Sequence, residues 1–137
     1  MNVYKIIDHT ADIGIEAYGK TLEEAFENTA KGMFSIITNG EKIEGKIEKK
    51  IEINREGDDE MLLVDWLSEL IYLHDVEKLV FGDFKVKIND KLEAIAYGEK
   101  YDRSKHGYGI EIKAVTYHML EIKRNKKGFV IRVLFDI

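Results

Sequence analysis

The sequence predicts an α+β fold: a single compact domain in which mostly antiparallel or mixed β-sheet layers pack with two amphipathic helices. Three observations lead there. Runs of alternating apolar and polar residues occupy both ends of the chain. Two other segments carry apolar residues at helical spacing, and the two types follow one another without a regular strand, helix, strand rhythm. The 137 residues, 1-137, suit one domain of ordinary size and contain no repeat, low-complexity tract or linker.

Val3 to Ile7 and Ile13 to Tyr18 suit strands, the second with Ile13, Ile15 and Ala17 on one side and Gly14, Glu16 and Tyr18 on the other. Thr21 followed by Glu24 is a capping box, after which Leu22, Ala25, Phe26, Ala30, Met33, Phe34 and Ile37 recur at helical spacing until Asn39-Gly40. Residues 43 to 53 alternate, and Lys49 interrupts their apolar row, as in an exposed edge strand. Gly57-Asp58-Asp59 supplies a turn and an N-cap. The helix that follows, from Met61 to Leu73, is apolar around most of its circumference and is therefore expected to be deeply buried.

Phe84 to Ile88 and Leu92 to Tyr97 flank Asn89-Asp90-Lys91 and predict an antiparallel hairpin. Glu99 to Gly109 reads as a polar loop. In Ile110 to Lys123, Ile110, Ile112, Ala114, Leu120 and Ile122 share one phase with Thr116 and His118, so both polar residues point inward if that strand is continuous. After the turn Asn125 to Gly128, the last strand places Phe129, Ile131, Val133, Phe135 and Ile137 on one face. Asp136 falls on the other, in phase with Arg132.

The chain has no cysteine, which excludes disulfides, thiolate catalysis and Cys-rich zinc sites. Gln and Pro are also missing, and Ile, Lys and Glu are abundant. Scarce Gln is a thermophile-like trait, although the missing Pro does not follow that pattern. A net charge of −5 disfavours sequence-independent binding of nucleic acid by the chain as a whole, but is compatible with a local basic patch. No apolar run reaches the roughly 18 residues of a membrane span, and residues 1 to 7 are too short an apolar stretch for a signal peptide. The expectation is a cytoplasmic protein without membrane association.

Asp8, His9 and Asp12 crowd one turn, and Asp136 and Ile137 end the sequence. Were these groups to converge, several carboxylates would repel one another unless a cation lay between them, so a divalent metal ion is the expected cofactor. Oxygen ligands of this kind accept magnesium or manganese as well as calcium, the ion expected in a crystal. His118 on an apolar face is either core or site, and His74, closing the second helix, complements the helix dipole. Tyr101 to Gly109, with Lys105 and His106, mixes cations, aromatics and glycines, which suits either a mobile segment touching phosphate or a solvated loop. Phosphate-binding loops, nucleophile elbows and zinc-protease helices are absent. Carboxylate-held metal leaves a small phosphoesterase open on chemistry alone, and a chaperone-like protein-binding module is a further alternative.

Four segments in order carry a resemblance: Asp8-His9-Thr10-Ala11-Asp12-Ile13-Gly14, Leu62-Leu63-Val64-Asp65-Trp66-Leu67, Ile112-Lys113-Ala114-Val115-Thr116-Tyr117-His118 and Val133-Leu134-Phe135-Asp136-Ile137. Through them the chain resembles the archease family from end to end. The resemblance implies an activator, not an enzyme. Its partner would be the RtcB-type RNA ligase that joins tRNA halves, and it would promote guanylylation of the ligase active-site histidine and multiple turnover. It implies metal ligands at Asp12, Asp136 and Ile137, with Asp8, His9, Lys105, His106 and His118 as further candidates for supporting or partner contacts. RNA and nucleotide would be met only indirectly, through the ligase. Where the family commonly has Arg before the loop histidine, this chain has Lys105, which cannot make a planar two-point phosphate contact.

Overall fold

A computed structural model describes residues 3–8 and 11–137 together with the backbone of His9. Ten elements follow in order: β1 (Tyr4–His9), β2 (Asp12–Gly19), α1 (Leu22–Ile37), β3 (Ile47–Asn54), α2 (Asp59–Glu77), β4 (Leu79–Ile88), β5 (Lys91–Lys100), α3 (Arg103–His106), β6 (Ala114–Asn125) and β7 (Gly128–Asp136). The strands form two antiparallel sheets, one in the order β1-β2-β7-β6 and one in the order β3-β5-β4. The fold is thus α+β, as the sequence predicts.

Both long helices begin where their caps require. Thr21 Oγ1 accepts the Glu24 amide of α1 at 3.1 Å, and Asp58 Oδ1 accepts the Met61 amide of α2 at 2.9 Å. Each bond satisfies an amide that the first helical turn leaves without an internal partner. Helix α1 packs against β2 of one sheet and β4 of the other, so it joins the two layers. Its Phe34 meets the Phe81 ring edge-on at 5.6 Å, and Trp66 of α2 meets Phe84 at 5.8 Å while its indole N–H donates to Phe26 O. Trp66, Phe26, Phe34, Phe81 and Phe135 are fully buried and form the centre of the core.

Among the described residues β3 pairs only with β5 and is an edge strand, and Lys49 on its core-facing row reaches Glu77 at the end of α2, 2.6 Å away. A lysine there keeps its stem against apolar surface and its ammonium at the rim. The hairpin of β4 and β5 extends well past its predicted ends, from Leu79 and to Lys100. Glu99 therefore belongs to a strand and not to a loop.

The largest departure from expectation lies in β6. Thr116 pairs with Leu134 and Glu121 with Arg132, so residues 117–120 stand against Val133 alone. Three surplus residues reverse the alternation, and Met119 takes a left-handed φ of 57° to accommodate them. Ala114 and Thr116 consequently share a face with Asp136, while Ile122 lies on the opposite one. The inward orientation expected for His118 does not hold, because it sits in the bulge and is exposed. Among the described residues, no helix is long and apolar enough to cross a membrane.

Candidate metal centre

At one end of the four-stranded sheet, β1 pairs His9 with Asp12, and β2 pairs Ile13 with Phe135 of β7. Carried one step further, the second register sets Asp12 across from Asp136. Ala114 of β6 pairs with Asp136 on its other side, and the Lys113 amide donates to the Asp136 carbonyl at 2.8 Å. Ile137 follows immediately, 39 % exposed. Three parts of the sequence thus meet here through backbone pairing alone.

Electrostatics sets this pair apart from its neighbours on the same face. Two turns of the pleat away, Glu16 lies across from Arg132, which donates from Nη2 to Glu16 Oε2 at 2.7 Å, and Lys5 lies 3.5 Å from the same carboxylate. Hydrogen bonds from Arg132 first, and then from the Tyr18 hydroxyl, hold the Glu16 carboxyl below the usual carboxylate range. The same register carried on by one residue sets Asp12 across from Asp136 where Glu16 lies across from Arg132, and like charges directly opposite on a sheet are destabilising. Gly14, between Asp12 and Glu16, allows the strands to close. A Cβ there would lie 2.5 Å from a Leu134 methyl and 2.6 Å from Val133 O.

Two carboxylates on adjacent strands suit a hard cation in chemistry. Among the described residues, however, no group of three or more Asp, Glu, His or Cys side chains is close enough to hold an ion. Further donors would have to come from main chain, hydroxyl or water. One hydroxyl stands near: Thr116 Oγ1, on the same face across from Leu134, is buried without a hydrogen-bond partner among the described residues. Buried polar atoms of that kind ordinarily have a partner.

The remaining sequence candidates are distributed differently. Asp8 pairs with Ile13, which puts it on the opposite side of the pleat from Asp12, and the His9 side chain lies outside the described residues. Lys105 and His106 belong to a cluster centred on Glu99. His106 is fully buried, its Nε2 is 2.9 Å from Glu99 Oε2, and its Nδ1 accepts the Asp102 amide at 3.0 Å. Because Nδ1 accepts, Nε2 carries the proton and donates to Glu99. Lys105 Nζ lies 2.8 Å from both Glu99 Oε1 and Glu44 Oε1, and the Glu44 amide donates to Glu99 Oε2 at 2.7 Å. The two carboxylates, Glu44 foremost, hold the Lys105 ammonium above its ordinary range. His74, as expected of a structural residue, donates from Nδ1 to Leu79 O at 2.9 Å.

Glu99, the hub of that cluster, appears in the sequence only as the first residue of a polar loop. Its neighbour Gly98 is buried too, so strand alternation does not mark it, and Glu44 is 55 residues distant.

Comparison with known proteins agrees with this architecture. The model of the archease protein family matches residues 4–137. Protein archease of Pyrococcus furiosus is 53% identical over 134 residues, 93% of each chain, and that of Sulfolobus acidocaldarius is 44% identical over the whole of both. The solution structure of Methanobacterium thermoautotrophicum protein 1598 superposes with a TM-score of 0.78 at 38% identity, covering 100% of both chains. The crystal structure of an archease from Thermotoga maritima, described as a possible chaperone, gives 0.65 at 26% identity over 96% of this chain and 94% of that one. In sequence over nearly its full length, and in fold, the chain belongs to the archease family.

Proposed function

We propose that this protein is a cytoplasmic activator of an RtcB-type tRNA-splicing RNA ligase, acting through a divalent cation held by Asp12, Asp136 and a main-chain oxygen of Ile137. The observation that carries this reading is the acid pair, Asp12 across from Asp136, in a chain that matches the archease family from residue 4 to residue 137. A bound calcium, magnesium or manganese ion would supply positive charge to nucleotide phosphates at the ligase active site. The protein's own residues do the positioning. β2, β7 and β6 fix the two carboxylates on one sheet end, Gly14 lets β2 and β7 approach, and Thr116 offers a nearby hydroxyl. No group of this chain is asked to form a covalent bond; the ligase histidine takes the nucleotide.

The test is single-turnover guanylylation of a purified cognate ligase with GTP and manganese, alone and with this protein or its Asp12→Ala variant. Stimulation by wild type and none by the variant is the expected result. Equal stimulation by both would remove the cation from the mechanism, and stimulation by neither would reject the activator role. In that last event, turnover of a generic phosphate ester without ligase would bring the phosphoesterase reading forward.

A further inference from the structure

The opposite end of the four-stranded sheet carries the reverse charge. The tip of the hairpin between β6 and β7 holds Lys123, Arg124, Lys126 and Lys127 within five residues, all exposed. Lys123 pairs with Glu121 at 3.2 Å, but among the described residues Arg124, Lys126 and Lys127 make no ion pair. Lys20 joins them, because the hairpin turn lies against it: a Cβ on Gly128 would be 2.8 Å from Lys20 Cα and 2.2 Å from Gly19 O. β2 runs from Asp12 to Gly19, so about 23 Å of strand separates this basic tip from the acid pair. A protein of net charge −5 thus concentrates unpaired cations at one end.

The same end has aromatic side chains, Tyr18 and Phe129. A groove of about 670 Å³ is lined by Tyr18, Lys20, Lys127 and Phe129 together with Val3 and Val130. The Arg124 guanidinium lies 5.7 Å above the Phe129 ring. Asn125 also borders the groove, and its Oδ1 accepts the Lys127 amide at 2.9 Å. Among the described residues Glu24 is the one carboxylate on the groove wall, and it accepts the Lys20 amide at 2.9 Å.

We infer that this hairpin tip and groove bind a single-stranded polynucleotide, with its phosphates on Lys20, Arg124, Lys126 and Lys127 and an unstacked base against Phe129. Lysines and arginines beside an aromatic surface are what such a strand requires, since its backbone is a regular polyanion and its bases are free to stack. A duplex offers no free base to the groove, and an acidic protein segment would use the charges but not the aromatic side chains. The inference goes beyond the ligase reading and does not depend on it, because it concerns the chain alone and the end of the sheet remote from Asp12.

The experiment is fluorescence anisotropy of a fluorescein-labelled uridine dodecamer RNA titrated with the protein without ligase, at about 50 mM and higher salt. Wild type should bind saturably. Lys126→Glu/Lys127→Glu should weaken binding at least about tenfold and flatten the logarithmic salt dependence by about 1.4, two contacts at roughly 0.7 each. Phe129→Leu, which keeps an apolar side chain, should cost about fivefold or more with the salt slope unchanged. Absence of saturable binding by wild type, binding by the double variant within twofold of wild type, or a blunt duplex binding as tightly would each overturn the inference. Displacement of the RNA by polyglutamate at equal charge would also overturn it and assign the patch to an acidic protein. A folded circular-dichroism spectrum for the exposed double variant keeps the comparison valid.

Discussion

Glu99 and His106 meet at 2.9 Å in an interior where the imidazole is wholly inaccessible and the glutamate only 6 % exposed. The pair holds α3 against β5, with Lys105 reaching round to Glu44 ahead of β3. From α3 the chain runs on to the Gly109 and Ile110 amides, which donate to Ile37 and Ile36 carbonyls at the end of α1, and then to Lys113, bound to Asp136. The segment leading to the acid pair is thus tethered at both ends.

Ionised Glu99 is central to that tether. Burial opposes its charge, but hydrogen bonds from His106, Lys105 and the Glu44 amide outweigh burial and bring its carboxyl from 4.5 down to about 2. An acid depressed on folding stabilises the protein fully above its unfolded pKa and loses that contribution as pH falls to the folded value. The contribution is therefore complete at pH 7, fades below 4.5 and is gone near 2. Glu99→Gln should cost about 3 kcal/mol at neutral pH, because it removes the charged acceptor that the buried His106 N–H, the Lys105 ammonium and the Glu44 amide all meet. Urea denaturation at pH 7 and near the folded pKa should show the gap between variant and wild type closing in acid. An equal gap at both would mean that the ionised form is not what stabilises.

Met119 gives a second prediction. Its φ of 57° lies in the left-handed region, which costs an ordinary residue about 1–2 kcal/mol, and its side chain is 50 % exposed, with little packing to lose. Met119→Gly removes the steric cost and adds about 0.5–1 kcal/mol of chain entropy to the unfolded state. The expected result is a modest gain, about 0.5 kcal/mol, seen as a higher melting temperature. A clear loss would show that the Met119 side chain stabilises the bulge more than its conformation strains it.

The same bulge marks where the sequence stops being readable. Alternation identifies the inner face of β2 (Ile13, Ile15, Ala17) and of β7 (Ile131, Val133, Phe135), because a strand with one buried face keeps period two, although Leu134 on the other face of β7 is buried as well. That regularity also puts Asp136 and Arg132 on one side and so exposes half of the candidate site. No local signal announces three extra residues in β6, and extending its phase through them misplaces His118. The setting of Lys105 and His106 is hidden for a different reason. Their surroundings from Tyr101 to Gly109 are polar and glycine-rich, like a solvated loop, whereas the partners that engage them, Glu99 and Glu44, are supplied by tertiary structure.

Gly14 tests how closely β2 and β7 must approach for the acid pair to form. Gly14→Ala would drive a methyl into Leu134 and the Val133 carbonyl, and since the latter is backbone, the strands must separate. Overpacking of this kind costs about 2 kcal/mol. Divalent-ion affinity, measured by terbium luminescence on the folded variant, should fall together with stability. Unchanged affinity in a destabilised variant would place ion binding away from this strand pair.

The acid pair makes the last prediction, on stability with and without a divalent ion. A ligand that binds only the folded state at about one hundred times its dissociation constant adds about 2.7 kcal/mol, which in a chain of this size raises the melting temperature by roughly 8 °C. Manganese or calcium should produce such a rise in wild type, and chelation should reverse it. Asp12→Asn and Asp136→Asn should each abolish the rise. In chelator, Asp136→Asn should melt no lower than wild type, because it removes one of two like charges placed across adjacent strands. That combination, equal or greater stability without metal and no response to it, separates a cation site from acids that serve the fold alone. A variant that keeps the metal-induced rise would refute ligation by that residue, whatever its effect on the ligase.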